Sequence, residues 1–201
     1  MEFLRLICRF IFKIFLPTKV YNAEAVPAEG PVIIASNHET MMDMFMIGYR
    51  VKRYVKWMAK SELFRFKPFG WFLKKLGAYP VKRNTKDTQA VRTTDELLQK
   101  GEVVGIFPQG TRSRGRGRSL PVKAGFVRFA ADNDATVVPV AVWGKLHIFG
   151  KGRVRFGTPF KVSDFVPEGE ELTKEKIREI AEQTVSGIYD MIEAGDENIK
   201  G

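Results

Sequence analysis

Cysteine is almost missing from this sequence: Cys8 stands alone among 201 residues, so neither an internal disulfide framework nor a cysteine-built metal site can form. Histidine is nearly as scarce, with only His38 and His147. That leaves too few imidazoles for a histidine cluster, and the shortage of cysteine points to a reducing, cytoplasmic compartment. Long apolar runs and low-complexity tracts are absent as well, apart from the short basic stretch Arg112 to Ser119. With 44% hydrophobic and 28% charged residues, the chain is not disordered, collagen-like or a polytopic membrane protein. Its length suits one domain with a full core.

What the chain has in excess is positive charge, and that charge is concentrated. Residues 1–49 hold four Lys/Arg against five Asp/Glu, residues 50–128 hold twenty against five, and residues 129–201 hold nine against thirteen. The net values are −1, +15 and −4, which sum to the overall +10. A domain that gathers one sign of charge in its middle faces an anionic partner: a phosphate ligand, an acidic protein, an anionic lipid surface or a nucleic acid.

Met1 to Leu16 is mostly apolar, with Arg5, Arg9 and Lys13 spaced every four residues and Pro17 closing the segment. On a helix these cations form one narrow basic stripe. Sixteen residues span about 24 Å, short of the roughly 30 Å hydrocarbon core, so the segment is not expected to cross a membrane. Ala23-Glu24-Ala25 resembles a signal-peptidase site, yet no uninterrupted apolar stretch precedes it to serve as the signal core. The expectation is therefore an amphipathic membrane-interface helix over residues 1–17 and the globular domain over 18–201. A terminal helix packed on the domain is the alternative.

Short β-rich runs alternate with helical ones, the pattern of an α/β domain with a mixed, mostly parallel sheet flanked by helices. Strands are expected at Val32–Ala35, Val55–Met58, Val103–Phe107, Thr136–Val142 and Val154–Phe156, with Pro139 marking an edge or a bulge. Helices are expected over Met42–Arg50, Pro68–Leu76, Thr88–Lys100 with Gly101 as its stop, and Pro121–Ala131. A last helix starts after the cap Thr173, with Leu172 and Ile177 placed as a hydrophobic staple.

Directly after the first interior strand comes Asn37-His38-Glu39-Thr40-Met41-Met42-Asp43, an N-H-x4-D arrangement. A base beside a reacting hydroxyl needs a carboxylate to fix its tautomer, and a turn at a strand end can bring positions five apart together. Taken alone, this spacing is better explained by a structural histidine. Downstream, Phe107-Pro108-Gln109-Gly110-Thr111-Arg112-Ser113 makes a tight turn at another strand end, with backbone N–H groups and a guanidinium placed to hold an anion. Between the two lie Lys60-Ser61-Glu62-Leu63-Phe64, Pro68-Phe69-Gly70-Trp71 and Pro80-Val81-Lys82-Arg83. Met41, Met42, Met44 and Met46, and Phe64, Phe66, Phe69, Trp71 and Phe72, can be either core or lining for an apolar ligand.

In this order N-H-x4-D, K-x-E-L-F with P-x-x-G and P-V-x-R, F-P-x-G-T-R-S and V-V-P-V-A-V resemble the four motifs of the glycerolipid acyltransferase family, over about Pro31 to Trp143. The resemblance implies transfer of a fatty acyl group from a thioester donor, acyl-CoA or acyl carrier protein. The implied acceptor is the sn-2 hydroxyl of 1-acylglycerol 3-phosphate, giving phosphatidate; another lysophospholipid or glycerol 3-phosphate is the alternative. It assigns His38 as general base and Asp43 as its orienting carboxylate, with no metal and no cofactor. Acceptor-phosphate binding falls on the second and third motifs, here Lys60, Arg83, Gln109, Gly110, Thr111 and Arg112. One position departs, since the family usually has Glu where this chain has Gln109. A cytoplasmic protein peripheral on the inner face of the cell membrane is implied, with an anionic lipid surface as partner. The rival reading, a nucleic-acid binder built on Arg112, Arg114, Arg116 and Arg118, gives way to the ordered motifs, and no nucleic-acid partner is expected.

Overall fold

The computed structural model describes residues 2–82, 87–167 and 169–197. Seven strands form one sheet: β1 (Thr18–Tyr21), β2 (Val32–Ser36), β3 (Val55–Lys60), β4 (Tyr79–Val81), β5 (Val103–Ile106), β6 (Thr136–Gly144) and β7 (Gly152–Phe156). Their spatial order is β1-β7-β6-β2-β5-β3-β4, and every pairing is parallel except the β6–β7 hairpin. The helices are α1 (Glu2–Phe15), α2 (Asp43–Gly48), α3 (Lys67–Lys75), α4 (Thr88–Gln99), α5 (Gly125–Asp132) and α6 (Lys174–Glu197). The expected single α/β domain with a mostly parallel, helix-flanked sheet is the architecture found.

Strand β2 shows why the sheet is covered on both sides. All five of its residues are buried, as parallel strands packed on both faces require. Val32 and Ile34 point into one core with Met46, Ile47 and Leu73, on the side of α2 and α3. Ile33 and Ala35 point into the other with Leu98, Phe126, Val127 and Ile180, on the side of α4, α5 and α6. Each such side chain contributes about 1.5–3 kcal/mol when withdrawn from water.

Helix boundaries follow local chemistry. Asp87 caps α4 by accepting from the Ala90 N–H at 3.1 Å, and Gly101, at φ 71°, ends it by donating to the Leu98 carbonyl at 2.8 Å. Thr173 caps α6 through its hydroxyl and the Lys176 N–H at 3.1 Å, with Leu172 and Ile177 both against the core, as expected. Helix α5 begins four residues later than the sequence suggests. The reason is that Lys123 donates its N–H to the Pro108 carbonyl at 2.9 Å, holding this stretch against the β5 loop instead of in a helix.

Of the two expectations for Pro139, the bulge is the one found and the edge is not. Strand β6 lies between β7 and β2, so the proline is interior to the sheet and not on an edge. It is tolerated because of a bulge on the neighbouring segment: Val140 pairs with Phe156 but Val137 with Phe160, so three steps face four. Gly157 donates to the Pro139 carbonyl at 2.8 Å on that irregular side, where the missing N–H also falls. Strands β1 and β4 were not foreseen. They are the two edges, four and three residues long, and Pro80 sits in β4, where an edge accepts it.

Candidate active site

The carboxyl ends of β2, β5, β3 and β4 lie along one edge of the sheet, the edge where open α/β folds place their ligands. The loop after β2 carries His38. Asp43, fully buried in the first turn of α2, accepts from His38 Nδ1 at 2.8 Å. The same Oδ2 accepts from the backbone N–H groups of Glu39 at 2.7 Å and Thr40 at 2.9 Å, and Oδ1 accepts from the Thr40 hydroxyl at 2.8 Å. Four donors therefore compensate the burial of this charge. With Nδ1–H directed at a carboxylate, the ring presents Nε2 as an acceptor, and 13% of the His38 side chain remains exposed.

Five further hydrogen bonds hold this loop, none of them anticipated from sequence. The Asn37 side chain pairs with Val142 of β6 as a strand backbone would, accepting from its N–H and donating to its carbonyl, both at 2.8 Å. Asn37 also donates to Glu39 Oε1 at 3.2 Å. From the β5 loop, Ser113 donates its N–H to the His38 carbonyl at 2.7 Å and its hydroxyl to Glu39 Oε2. The two motifs are thereby locked to each other through Ser113.

Phe107 supports the imidazole from the side. Its ring stacks on His38 with centroids 4.0 Å apart and 14° between planes, and on Trp57 at 5.1 Å and 17°. Gly105 leaves room for the Trp57 ring, since a Cβ there would sit 2.4 Å from it. Phe107→Leu keeps the apolar volume but removes the flat face. A lost ring pair of about 0.5–1.5 kcal/mol is expected to lower kcat about 2–10-fold with KM unchanged, and Phe107→Tyr to restore it, in steady-state kinetics.

The other expected site residues are distributed unevenly. Lys60, paired with Glu62 at 3.2 Å, lines one cleft of about 70 Å³ together with His38, Phe107, Leu63 and Phe69. Arg112 is half-buried and has no hydrogen-bond or ion-pair partner among the described residues, while Thr111 is exposed beside it. Gly110 adopts φ 64°, and its N–H is already committed to the Phe107 carbonyl at 2.8 Å. The Lys123 side chain, not singled out from sequence, crosses over this glycine, 3.2 Å from where a Cβ would be. Arg83 lies outside the described residues.

Gln109 is 4% exposed and turned inward: its amide donates to the Gly117 carbonyl and accepts from the Tyr189 hydroxyl, both at 2.9 Å. It braces the loop against α6. Burial raises the Tyr189 pKa, which keeps that hydroxyl a donor. A carboxylate at this position would have no hydrogen to offer Gly117, so the departure from Glu is matched by its surroundings.

The methionines and aromatics divide as well. Met46 is core, whereas Met41 and Met44 line the His38 cleft. A second apolar cavity of about 70 Å³ shares Met44, Phe45 and Leu73 with that cleft and extends to Phe12, Tyr54 and Leu76. A histidine base fixed by a buried carboxylate thus opens onto an apolar passage.

These features place the chain in the acyltransferase family, and a family model described as Acyltransferase matches residues 17–143, from β1 to the end of β6. The chain belongs to that family. Within it, the chain is 39% identical over 153 residues to the 1-acyl-sn-glycerol-3-phosphate acyltransferase of Bacillus subtilis (strain 168), covering 73% of this chain and 75% of that protein. It is 31% identical over 192 residues to the Saccharomyces cerevisiae protein of the same name, covering 88% of this chain and 60% of that one. The crystal structure of the 1-acyl-sn-glycerophosphate (LPA) acyltransferase PlsC from Thermotoga maritima shares the fold, with a TM-score of 0.69 at 24% identity over 94% of this chain and 78% of that one.

Proposed function

We propose that this protein transfers an acyl group from a thioester donor, acyl-CoA or acyl carrier protein, to the sn-2 hydroxyl of 1-acylglycerol 3-phosphate, releasing phosphatidate and a free thiol. The observation that carries this reading is the His38–Asp43 pair, its carboxylate held by three further donors, at the mouth of an apolar cleft. His38 Nε2 takes the proton of the acceptor hydroxyl as its oxygen attacks the thioester carbonyl. The resulting imidazolium, stabilised by the Asp43 carboxylate, returns that proton to the departing sulfur as the tetrahedral intermediate collapses. A positioned base of this kind contributes about 10²–10⁴-fold.

Arg112, Thr111 and the Gly110 turn of the third motif, with Lys60 and Arg83 of the second, are assigned to the acceptor phosphate. The apolar passage past Met44 and Leu73 is assigned to an acyl chain. Arg112→Ala removes a charge-assisted contact of about 1.5–3 kcal/mol and is expected to raise KM for lysophosphatidate about 10–100-fold. Slow hydrolysis of the donor in the absence of acceptor should be unaffected. Steady-state kinetics against lysophosphatidate, a neutral lysolipid and glycerol 3-phosphate, each with both donor types, test the assignment. A KM for lysophosphatidate that Arg112→Ala leaves unchanged moves the phosphate elsewhere.

No helix among the described residues is long and apolar enough to cross a membrane. Helix α1 does two things at once. Phe12 stacks on Phe45 at 4.5 Å and Leu16 is buried, whereas Phe10 is 68% exposed and Ile11 and Ile14 also face outward. Packing on the domain and lying in a lipid interface are therefore compatible, and the proposed place of work is the inner face of the cell membrane, where the acceptor lipid resides.

A further inference from the structure

We infer that the β6–β7 loop, residues 145–151, is a second membrane-contact element, a wedge that enters an anionic lipid interface beside α1. The inference rests on the membrane reading above and extends it to a part of the fold remote in sequence from the first helix.

The loop has a defined shape. Lys145 donates its N–H to the Lys151 carbonyl at 3.3 Å and Gly150 to the His147 carbonyl at 2.8 Å, and a Cβ on Gly150 would sit 2.1 Å from the Lys145 carbonyl oxygen. At its apex are Ile148, 55% exposed, and Phe149, 66% exposed. Phe149 has φ 61°, a left-handed conformation that glycine or asparagine adopts with little strain and a bulky residue does not. Its N–H donates to the Phe15 carbonyl at 2.7 Å, and its ring meets Phe15 at 5.3 Å. A large phenyl is thus held in a strained backbone and displayed to water, an arrangement that contributes little to folding and makes sense if an apolar medium receives it.

Its surroundings identify that medium. Phe149 and Ile148 adjoin the outward-facing Phe15 at the end of α1, whose Ile11 and Ile14 are also exposed. Lys13, Lys145, His147 and Lys151 are exposed around them, and residues 145–161 contain no acidic side chain. Apolar side chains rimmed by Lys13, Lys145 and Lys151 match an anionic headgroup layer over acyl chains. Topology adds the functional point. Gly144 pairs with Gly152 and Gly152 with Thr18, so the loop and the exit of α1 share the sheet edge where β2 delivers His38. Glu39 and Thr40 line a common cleft with Lys145, Leu146 and His147. An acceptor lipid in the interface therefore reaches the base from the side that docks.

Vesicle sedimentation of the full chain tests this, with phosphatidylcholine alone and mixed with phosphatidylglycerol. Phe149→Asn relieves the left-handed strain, so the paired variant Ile148→Ser with Phe149→Asn is expected to keep its thermal transition. Its partition onto the mixed vesicles is expected to fall about tenfold per lost apolar side chain. A fluorophore on Phe149→Cys in a Cys8→Ser background is expected to shift to the blue with mixed vesicles. Wild-type-like partition of the paired variant, together with an unshifted probe, overturns the loop's role. If Arg5, Arg9 and Lys13 all changed to Gln then abolish binding, the α1 reading stands without the loop. A wild-type chain that binds neither vesicle overturns both, and loss of a dimer without loss of vesicle binding assigns the apex to a second copy of the chain instead.

Discussion

His38→Ala and Asp43→Ala are each expected to lower kcat at least about 10²-fold, and the double variant to be little worse than either single one. The reason is that Asp43 acts through the imidazole: with its Oδ2 on Nδ1, it sets which nitrogen faces the acceptor and stabilises the cation formed there. Once the imidazole is gone, the carboxylate has nothing to orient. Asp43→Asn separates the two roles, since its amide can still accept from Glu39 and Thr40 while losing the charge that favours imidazolium. It is expected to retain the fold and lose most of the rate. Losses that multiply in the double variant would mean that the two residues serve different steps.

Asn37→Ala is expected to produce the largest loss of stability. Its amide makes two bonds with the Val142 backbone in a buried position, extending the β2–β6 ladder by one side chain. Truncation leaves a sheet N–H and a carbonyl without partners at about 1–3 kcal/mol each. For a domain of this size each kcal/mol lowers Tm by about 2–4 °C, so a drop of about 4–24 °C is expected by calorimetry. Because Asn37 precedes His38, activity should fall at temperatures where the variant is still folded. Asn37→Asp keeps one acceptor and is expected to fall between the two.

The His38–Asp43 pair was legible because its geometry is local. The six residues His38 to Asp43 form the turn, and the backbone N–H groups of Glu39 and Thr40 close it on the carboxylate. What fixes the imidazole from outside was not legible, for the opposite reason. Phe107 reaches His38 from the loop after β5, and Asn37 meets Val142 across 105 positions, so no spacing along the chain announces either contact. The central strands were readable as buried apolar runs. The edges β1 and β4 were too short to show a period, and interior Pro139 depends on a bulge contributed by residues 157–160. Gln109 marks the limit of motif reading: its neighbours form the anion turn, while its own amide faces Gly117 and Tyr189. The amphipathic pattern of α1 likewise did not distinguish Phe12, which packs on Phe45, from Phe10, which meets solvent.

The most direct test of the central claim is product analysis by mass spectrometry. The protein is incubated with 1-acylglycerol 3-phosphate and an isotopically labelled acyl thioester, as CoA and as acyl carrier protein, and thiol release is followed in parallel. Labelled phosphatidate equal in amount to the thiol released, with at least about a hundredfold less from His38→Ala, is the predicted result. Thiol release without labelled phosphatidate, or equal phosphatidate from the His38→Ala protein, would contradict it.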